Sequence, residues 1–313
     1  MSITIAIHGG AGTMRMADIT LLQRQERHEG LRKALRAGWS ILKEGGAALD
    51  AVTAAVMVME DDPLFNAARG AVMTDAGTLE MDAAIMNGID RTAGAVAGIC
   101  GPRHPILAAR AVMETTPHVL MIGDGALAVA RAAGLAFKPV SWFETPERKA
   151  ALALELARRA NNAPDTRSDA DRHGTVGAVA RDMNGHLAAA TSTGGLTGKR
   201  VGRIGDTPVF GCGTFADDST CAVSCTGTGE VFIRFTAATE IAARIRYKGE
   251  SLGIAASDVV AELATKGGDG GLIALAANGA PAMPFNSAGM YRGWADAEGC
   301  LRTAIYREPF SVL

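Results

Sequence analysis

The sequence changes character at Gly174-Thr175, and this change limits how the chain can fold. Residues 159–174 are rich in polar and turn-forming side chains. They can bury little apolar surface, so they are predicted to form a mobile linker. Residues 176–180 are small and apolar, which is typical of a buried strand. We therefore expect a break in the fold just before Thr175.

The elements predicted on the two sides of this junction indicate the fold class. Upstream, helical periodicity predicts helices at 22–43, 48–59, 105–113, 124–133 and 146–159, with strands at 2–7, 80–86, 93–99 and 119–122. Downstream, the sequence predicts strands at 176–182, 186–192, 209–211, 219–224, 271–275 and 280–284, and helices at 230–246 and 254–264. Asn184-Gly185 marks a hairpin between the first two of these strands. The order favours an α/β (α+β) fold with two sheets and helices outside them, rather than a doubly wound parallel sheet.

Composition and charge exclude several classes of partner. The chain has 313 residues, is 48% hydrophobic and carries a formal net charge of -2 without long runs of one sign. This balance argues against nucleic acid or an anionic membrane surface as a partner. We find neither an apolar run of about 18 residues, as a membrane span requires, nor the basic start of a secretory signal.

The five cysteines indicate a reducing, cytoplasmic setting, because an odd number without a secretory signal favours free thiols. Cys221 and Cys225 lie four residues apart in a predicted strand, so their side chains should share one face. They could form part of a metal site or be buried structural cysteines. The sequence places no histidine near them, which favours the second interpretation.

Thr175 is a candidate nucleophile because of its place at the junction. A hydroxyl there could attack the preceding carbonyl, and Gly174 has no side chain to block the approach. Cleavage would leave Thr175 with a free α-amine, whose pKa is roughly 8 in model compounds. Such an amine can serve as the local base for the hydroxyl. The alternative is an ordinary threonine at the start of a strand.

Three polar clusters downstream could complete a site. Arg203 and Asp206 lie among glycines and would complement the carboxylate and ammonium of an α-amino acid, or else form a local ion pair. Residues 226–229 precede a predicted helix, whose exposed N–H groups could hold an oxyanion or simply be capped by threonine. Thr193 could hydrogen-bond a nearby hydroxyl or cap a turn. His8, before a glycine-rich segment at 9–12, is more typical of a hydrogen-bonded structural residue than of a base.

Five segments keep the order and spacing of one protein family. They are His8-Gly9-Gly10-Ala11-Gly12, His173-Gly174-Thr175-Val176-Gly177-Ala178-Val179, Thr191-Ser192-Thr193-Gly194-Gly195, Gly202-Arg203-Ile204-Gly205-Asp206 and Ser224-Cys225-Thr226-Gly227-Thr228-Gly229-Glu230. These segments resemble the plant-type (type III) L-asparaginases, also called isoaspartyl peptidases or β-aspartyl-peptidases. That family belongs to the N-terminal-nucleophile (Ntn) hydrolases. The resemblance extends from Ile3 to about Arg307.

The resemblance implies a fold and a maturation step. The family fold is a four-layer αββα sandwich, which would here be one domain built from two subunits. Self-cleavage between Gly174 and Thr175 would produce an α subunit, 1–174, and a β subunit, 175–313. Thr175 would be the nucleophile for this step and for the substrate, with Thr193 supporting its hydroxyl. The mature enzyme would be a dimer of αβ heterodimers.

The resemblance also implies the substrates and the residues that bind them. Arg203 would hold the α-carboxylate and Asp206 the α-amine, while Thr226 and Gly227 would form the oxyanion hole. The substrates would be small molecules, L-asparagine and isoaspartyl (β-aspartyl) dipeptides, both of which would release L-aspartate. One site can serve both because they share the aspartyl group.

The resemblance implies no required cofactor, but it does imply a structural sodium ion. In relatives a loop binds sodium through main-chain oxygens, and the corresponding residues here are Met59, Glu60, Asp62, Phe65, Ala67 and Arg69. The family commonly has Asn-Ala-Gly-x-Gly where this chain has Asn66-Ala67-Ala68-Arg69-Gly70. Ala68 replaces a residue that tolerates positive φ, and Arg69 adds a charge, so both the loop shape and sodium binding need testing. The Asp61-Asp62 pair could favour a cation or form a solvated helix end.

Two other functions remain open at this level. The chain could be a glycosylasparaginase or another Asp-specific Ntn hydrolase, although the Arg203/Asp206 pair with its short intervening loop and the missing secretory signal argue against this. It could also be an uncleaved, non-catalytic relative that only binds an amino acid, because the binding residues alone do not require turnover.

Overall fold

The computed structural model describes residues 2–12, 19–163 and 174–312. Its strands are β1 (Thr4–Gly12), β2 (Met81–Asn87), β3 (Ala93–Ile99), β4 (Leu120–Ile122), β5 (Val176–Arg181), β6 (Leu187–Thr193), β7 (Thr214–Ala216), β8 (Cys221–Gly227), β9 (Gly270–Ala276), β10 (Gly289–Ala295), β11 (Leu301–Ala304) and β12 (Ser311–Val312). Its helices are α1 (Leu21–Lys43), α2 (Ala48–Asp61), α3 (Pro105–Thr115), α4 (Gly123–Ala132), α5 (Val140–Phe143), α6 (Pro146–Ala160), α7 (Gly229–Arg234), α8 (Ala237–Lys248) and α9 (Leu252–Thr265).

The strands form two stacked sheets. The larger has nine strands in the order β12-β11-β10-β1-β5-β6-β2-β3-β4, and the smaller has the order β7-β8-β9. Helices α1 to α4 pack on the large sheet, helices α8 and α9 pack on the small one, and β8 and β9 face β1, β5 and β6. The arrangement is therefore the predicted four-layer αββα sandwich of the Ntn-hydrolase type.

Alternating side chains explain how the two sheets pack. In β1, Ile5 and Ile7 belong to the core beneath the helices, whereas Ala6 belongs to the core shared with the small sheet. In β5, Ala178 belongs to the core beneath the helices and Val179 to the core shared with the small sheet. Because successive residues of a strand point to opposite faces, each of these strands is buried on both sides.

Helices α1 and α2 form the outer layer over the large sheet. Thr20 caps α1 through a reciprocal capping box with Gln23. The helix turns an apolar stripe inward, and it ends just before Gly45, which adopts a φ of 85°. Helix α2 is apolar around most of its circumference because it lies between α1 and the strands β5 and β6.

Several predicted boundaries in the N-terminal and catalytic segments are wrong. The glycine-rich segment at 9–12 is part of β1, which was predicted to end at residue 7, because Gly10 to Gly12 pair with β10 beyond a bulge between His8 and Gly10. The strand predicted at 219–224 is β8, which extends to Gly227. Thr226 and Gly227 therefore end a strand instead of opening a helix, and α7 begins only at Gly229.

Other differences arise in the C-terminal part of the chain. The helix predicted at 230–246 is divided into α7 and α8 at Thr236, whose φ is 44°. Residues 209–211 and 280–284 form only isolated bridges. In the second segment Pro281 and Pro284 cannot donate ladder hydrogen bonds, which limits pairing there. The short elements β7, β11, β12 and α5, and also β10, were not predicted.

The predicted linker can be compared only in part. Residues 164–173 lie outside the described residues. Arg159 and Ala160 belong to α6, so the segment of irregular structure begins later than predicted. Within the described ranges, we find no helix with the length and apolar character that crossing a membrane requires.

The cysteine prediction is resolved in favour of structural thiols. All five cysteines are unpaired. Cys221 and Cys225 are buried in β8, and burial raises the pKa of Cys221 to about 12 and that of Cys225 well above its ordinary value. Neither belongs to a group of three or more metal-ligating side chains within the described parts of the chain.

Candidate active site

The pairing of β5 with β6 brings two threonine hydroxyls together. Val176 at the start of β5 lies opposite Ser192 near the end of β6, so Thr175 and Thr193 lie side by side just beyond this pair. The Thr175 hydroxyl donates a hydrogen bond to Oγ1 of Thr193 at 3.0 Å. Both side chains are buried.

Thr193 is also bonded to the peptide that precedes Thr175. Its hydroxyl donates to the Gly174 carbonyl oxygen at 3.1 Å and accepts from the Gly195 amide at 2.9 Å. The Thr193 hydroxyl thus donates its single proton to the Gly174 carbonyl, and its lone pairs accept from the Thr175 hydroxyl and the Gly195 amide. A directed chain of hydrogen bonds runs from the Thr175 hydroxyl, through Thr193, to the Gly174 oxygen.

Asn66 supplies a second donor to the same carbonyl, and the sequence reasoning had not singled it out. Its Nδ2 lies 2.7 Å from the Gly174 oxygen and 2.8 Å from the Gly195 oxygen. Its Oδ1 accepts from the Val72 amide at 2.9 Å, which fixes the orientation of the side chain. The sequence signal for Asn66 is its match to the first residue of the family segment Asn-Ala-Gly-x-Gly, which gave it no role at the cleavage site.

Strand β1 lies directly against the Gly174-Thr175 peptide. Gly10 has a φ of 110°, and a Cβ at this position would lie 2.9 Å from the Gly174 Cα. Only glycine therefore allows this close approach. The bulge in β1 is consequently part of the site rather than a separate glycine loop.

His8 anchors the other side of Thr175. Its Nδ1 donates to the Thr175 carbonyl oxygen at 2.9 Å, and its Nε2 accepts from the Ser224 hydroxyl at the same distance. Burial lowers the pKa of His8 to about 3, so the ring is neutral. A neutral histidine with both nitrogens engaged fits the predicted structural role.

Arg203 and Asp206 converge on Gly229 at the start of α7. A Cβ at Gly229 would lie 2.7 Å from Asp206 Oδ1 and 3.0 Å from Arg203 Nη2. They do not form the ion pair that was the alternative interpretation. Arg203 instead makes a two-point contact with Glu230, with both N–O distances 2.9 Å.

Asp206 is a buried carboxyl group that lacks a full set of partners. Its Oδ2 accepts no hydrogen bond from the described residues. Burial raises the pKa of Asp206 to about 7, with Arg203 acting in the opposite direction. Such a carboxyl is suited to a cationic ligand group, which would satisfy Oδ2 and favour the charged form.

A second buried pair of charges lies beneath these two residues. Lys199 donates from Nζ to the Glu80 carbonyl at 2.7 Å, and Asp82 accepts from the Gly98 amide at 2.9 Å. Burial lowers the pKa of Lys199 and raises that of Asp82, while the attraction between the two opposes both shifts. This pair was not predicted, because nothing in the spacing of 82 and 199 brings them together.

Thr226 and Gly227 occupy the end of β8 next to the site. The Thr226 hydroxyl accepts from the Ala11 amide at 3.2 Å, which ties β8 to β1. Gly227 has a φ of 148°, and a Cβ there would lie 2.2 Å from the Asp269 oxygen. The close contact with β9 therefore requires glycine at 227.

A small pocket of about 10 Å³ joins most of the predicted residues. It is lined by Gly174, Thr175, Thr193, Gly195, Leu196, Arg203, Gly205, Asp206, Thr207 and Gly227. Thr226 is next to this lining rather than part of it. A candidate nucleophile, a cation and an anion thus border one small space, and their chemistry complements an α-amino acid with a reactive side-chain carbonyl.

The loop with the predicted sodium ligands turns back on itself. The Arg69 amide donates to the Glu60 carbonyl at 3.0 Å, and the Phe65 amide donates to the Asp62 carbonyl at 3.1 Å. Ala68 adopts a φ of 41°, so alanine takes the left-handed conformation that glycine would favour. The Arg69 guanidinium lies 5.7 Å from the centre of the Trp142 ring.

The acidic side chains of this loop are engaged by the protein. Asp61 forms a two-point ion pair with Arg103 at 2.9 and 2.8 Å, and Asp62 accepts from the Leu64 amide at 3.0 Å. Glu60 is buried, which raises its pKa, and it accepts from the Ser192 hydroxyl at 2.6 Å. These carboxylates therefore support the loop and β6. Sodium coordination through main-chain oxygens of this loop stays a prediction.

Comparison with known proteins gives matches along nearly the whole chain. A family model described as asparaginase matches residues 1–305. The isoaspartyl peptidase of Salmonella typhimurium is 50% identical over 310 residues, which cover 97% of this chain and 98% of that protein. The isoaspartyl peptidase/L-asparaginase of Bos taurus is 40% identical over 97% of this chain and 96% of its own length. The plant-type L-asparaginase of Pyrococcus abyssi is 42% identical over 84% of this chain and 86% of its own.

Proposed function

Because this chain belongs to the asparaginase family, we propose that it is a self-processing threonine hydrolase. It cleaves the side-chain amide of L-asparagine and the isopeptide bond of β-aspartyl dipeptides, and it releases L-aspartate from both. The observation that carries the proposal is the directed hydrogen-bond chain from the Thr175 hydroxyl through Thr193 to the Gly174 carbonyl oxygen.

Self-cleavage follows from this chain of bonds. The Thr175 oxygen attacks the Gly174 carbonyl carbon while its proton passes to Thr193 and the Thr193 proton moves to the Gly174 oxygen. Asn66 stabilises the charge that develops on the same oxygen. Collapse re-forms the carbonyl and breaks the C–N bond as the proton on the Gly174 oxygen passes to the Thr175 nitrogen, which gives an ester with a free Thr175 amine. Water then hydrolyses the ester and leaves a carboxylate on Gly174 and a free hydroxyl on Thr175.

The mature nucleophile then acts on the substrate. The Thr175 α-amine removes the hydroxyl proton, and the oxygen attacks the side-chain carbonyl of the substrate. The amine returns the proton to the leaving nitrogen, which departs as ammonia or as an amino acid. Water, activated by the same amine, hydrolyses the acyl-enzyme and releases L-aspartate.

Arg203 and Asp206 hold the aspartyl group during this reaction. The guanidinium binds the α-carboxylate, and the Asp206 Oδ2 accepts from the α-ammonium. Glu230 holds the Arg203 guanidinium in place from the outside of the pocket. Because neither contact involves the leaving group, an amide and an isopeptide can be bound in the same way.

Thr226 and Gly227 provide the oxyanion site for the substrate. They lie at the end of β8, where close contacts with β1 and β9 restrict their movement. Because a rigid donor is already in position, little reorganisation energy is needed when charge develops in the transition state. The Gly174 oxygen, in contrast, accepts hydrogen bonds from Asn66 and Thr193. Self-cleavage and substrate hydrolysis therefore use different oxyanion donors.

We extend the proposal to the assembly, the compartment and the sodium ion. The αβ units pair as a dimer of heterodimers, and the free thiols are consistent with the cytoplasm. No cofactor takes part in the steps above.

A sodium ion is held by main-chain oxygens of Met59, Glu60, Asp62, Phe65, Ala67 and Arg69. The hydrogen bond between Arg69 and Glu60 closes the loop that contains them. A higher melting temperature in sodium than in choline chloride would support the ion, and equal melting would contradict it.

An assay with three substrates tests the activity. Purified protein should release ammonia from L-asparagine and leucine from β-Asp-Leu. Preferential hydrolysis of a glycosylated asparagine would indicate a glycosylasparaginase instead. Aspartate binding by an uncleaved chain without product release would indicate a non-catalytic relative.

A further inference from the structure

A second pocket lies at the margin of the sandwich, away from Thr175. The small sheet faces β1, β5 and β6, whereas β10 to β12 form the outer part of the large sheet. A cavity of about 360 Å³ is found there, lined by Pro281, Met283, Arg292, Trp294, Arg302 and Phe310. It shares no lining residue with the catalytic pocket. Its volume is within the range of small-molecule sites.

Arg292 is the buried charge of this second pocket. The residue is only 6% exposed, and its Nη1 donates to the Met290 carbonyl at 3.2 Å. Its guanidinium carbon lies 4.8 Å from the centre of the Phe285 ring and 5.1 Å from that of Phe310. Among the described residues, no carboxylate lies within ion-pair distance of it. This is unusual, because buried charges in proteins are normally paired.

The acidic groups nearby are engaged elsewhere. Glu308 attracts the Arg292 charge, but its two oxygens accept hydrogen bonds from the Ile305 and Tyr306 amides. Asp296 is paired with Arg302 at 2.5 Å. Arg302 is therefore neutralised, whereas Arg292 keeps a positive charge that neither carboxylate contacts.

The walls of the pocket are apolar and aromatic. Trp294 and Phe310 line it together with Met283 and Pro281. Aromatic rings stack on the flat face of a guanidinium, and its hydrogen bonds are made in the guanidinium plane. Apart from the Nη1 bond to Met290, the guanidinium of Arg292 donates no hydrogen bond to the described residues, so N–H groups in its plane are left for a ligand. A planar carboxylate fits this donor geometry better than a spherical ion does.

We propose that this second pocket binds a small organic carboxylate with an aromatic or apolar body. The carboxylate is held by the Arg292 guanidinium, and the body packs against Trp294, Phe310 and Met283. Arg292 lies opposite His8 in the β1–β10 pairing, on the same face of the large sheet. The site is therefore one strand away from the residue that holds the Thr175 carbonyl. The proposal does not depend on the hydrolase function.

Calorimetric titration of the full chain with sodium benzoate tests this proposal. Benzoate should bind saturably with one site per chain. Benzamide, which has the same ring without the charge, should not bind. Arg292→Gln should weaken benzoate binding at least about tenfold, because a charge-assisted contact is lost. If that variant does not fold, Arg292→Lys keeps the charge without the planar fork and should also bind more weakly than the wild type.

Two control variants locate the binding. Arg307 stacks on the same Phe285 ring at 4.8 Å but does not line the pocket, so Arg307→Gln should bind benzoate like the wild type. Arg203→Gln should also retain binding, since it alters only the catalytic pocket. The proposal is overturned if the wild type gives no saturable binding, if both Arg292 variants retain it, or if Arg203→Gln abolishes it.

Discussion

The side-chain amide of Asn66 donates a 2.7 Å hydrogen bond to the carbonyl oxygen of Gly174. This bond joins the loop after α2 to the peptide that self-cleavage would break. The same amide is fixed by the backbone of Val72 and Gly195, so its position does not depend on the substrate. Asn66 is thus a preformed donor for the oxygen on which charge would develop during the proposed self-cleavage.

Removing this donor should slow maturation. We expect Asn66→Ala to reduce the rate of self-cleavage by roughly 10²- to 10³-fold, which is typical for loss of one oxyanion donor. Denaturing electrophoresis over time measures the rate. Asn161→Ala is the matched control, because Asn161 also donates to a backbone carbonyl, that of Ala157, but lies on the surface. Equal rates for the two variants would rule out the role assigned to Asn66.

The Thr193 hydroxyl should be needed for both reactions. Thr193→Val keeps the shape of the side chain but cannot pass a proton, so self-cleavage and turnover should each decrease by about 10²- to 10⁴-fold. Thr193→Ser should restore most of both rates because it restores the hydroxyl. The variants can be compared by intact mass and by ammonia release. Normal turnover in Thr193→Val would show that the relay is unnecessary.

Asp206 should give the enzyme a specific pH dependence. Its pKa is raised to about 7 in the empty pocket, and only the ionised form pairs well with the substrate α-ammonium. We therefore expect kcat/KM to fall as the pH drops through about 7. In the enzyme–substrate complex the substrate α-ammonium stabilises the Asp206 carboxylate. The fall of kcat on acidification should therefore occur at lower pH than the fall of kcat/KM. The Thr175 amine, in contrast, would affect both profiles. Identical acid limbs in kcat and kcat/KM would contradict the assignment to Asp206.

Ala68 should limit the stability of the loop beside the site. Its φ of 41° is costly for alanine and not for glycine, so Ala68→Gly should stabilise the protein by roughly 1 kcal/mol. Ala67→Gly is the control, because Ala67 is equally buried and is not among the residues with positive φ. That variant should be destabilised, since glycine there only adds flexibility to the unfolded chain. Urea unfolding measures both; a loss of stability in Ala68→Gly would show that the turn is not strained.

The residues of the site differ in how far the sequence could predict them. Thr175, Thr193, Arg203, Asp206 and Gly227 were all predicted, because each lies in a short segment whose residue types suit one chemical task. All five line one pocket, and their roles stay predictions. Thr226 was placed at a helix start, but pairing with β9 extends β8 through it.

What could not be predicted depends on contacts between distant segments. Asn66 reaches Gly174 across 108 positions of sequence, and nothing near either residue indicates the contact. The same is true of the buried Asp82 and Lys199. In the fold, periodicity identified the long helices, and Asn184-Gly185 identified the β5–β6 hairpin. The strands β10 to β12 were missed because pairing with β1 and with one another, rather than their own pattern, makes them strands.

The central claim is that Thr175 cuts the chain before it acts on substrate, and intact-mass measurement of stored protein tests it most directly. The account predicts that the single chain is replaced by two species, one ending at Gly174 and one beginning at Thr175, and that hydrolysis of β-Asp-Leu rises in step with them. Thr175→Ala should remain a single, inactive chain. A wild-type chain that hydrolyses the dipeptide while its mass stays whole, or a Thr175→Ala chain that is cut at the same bond, would contradict the account.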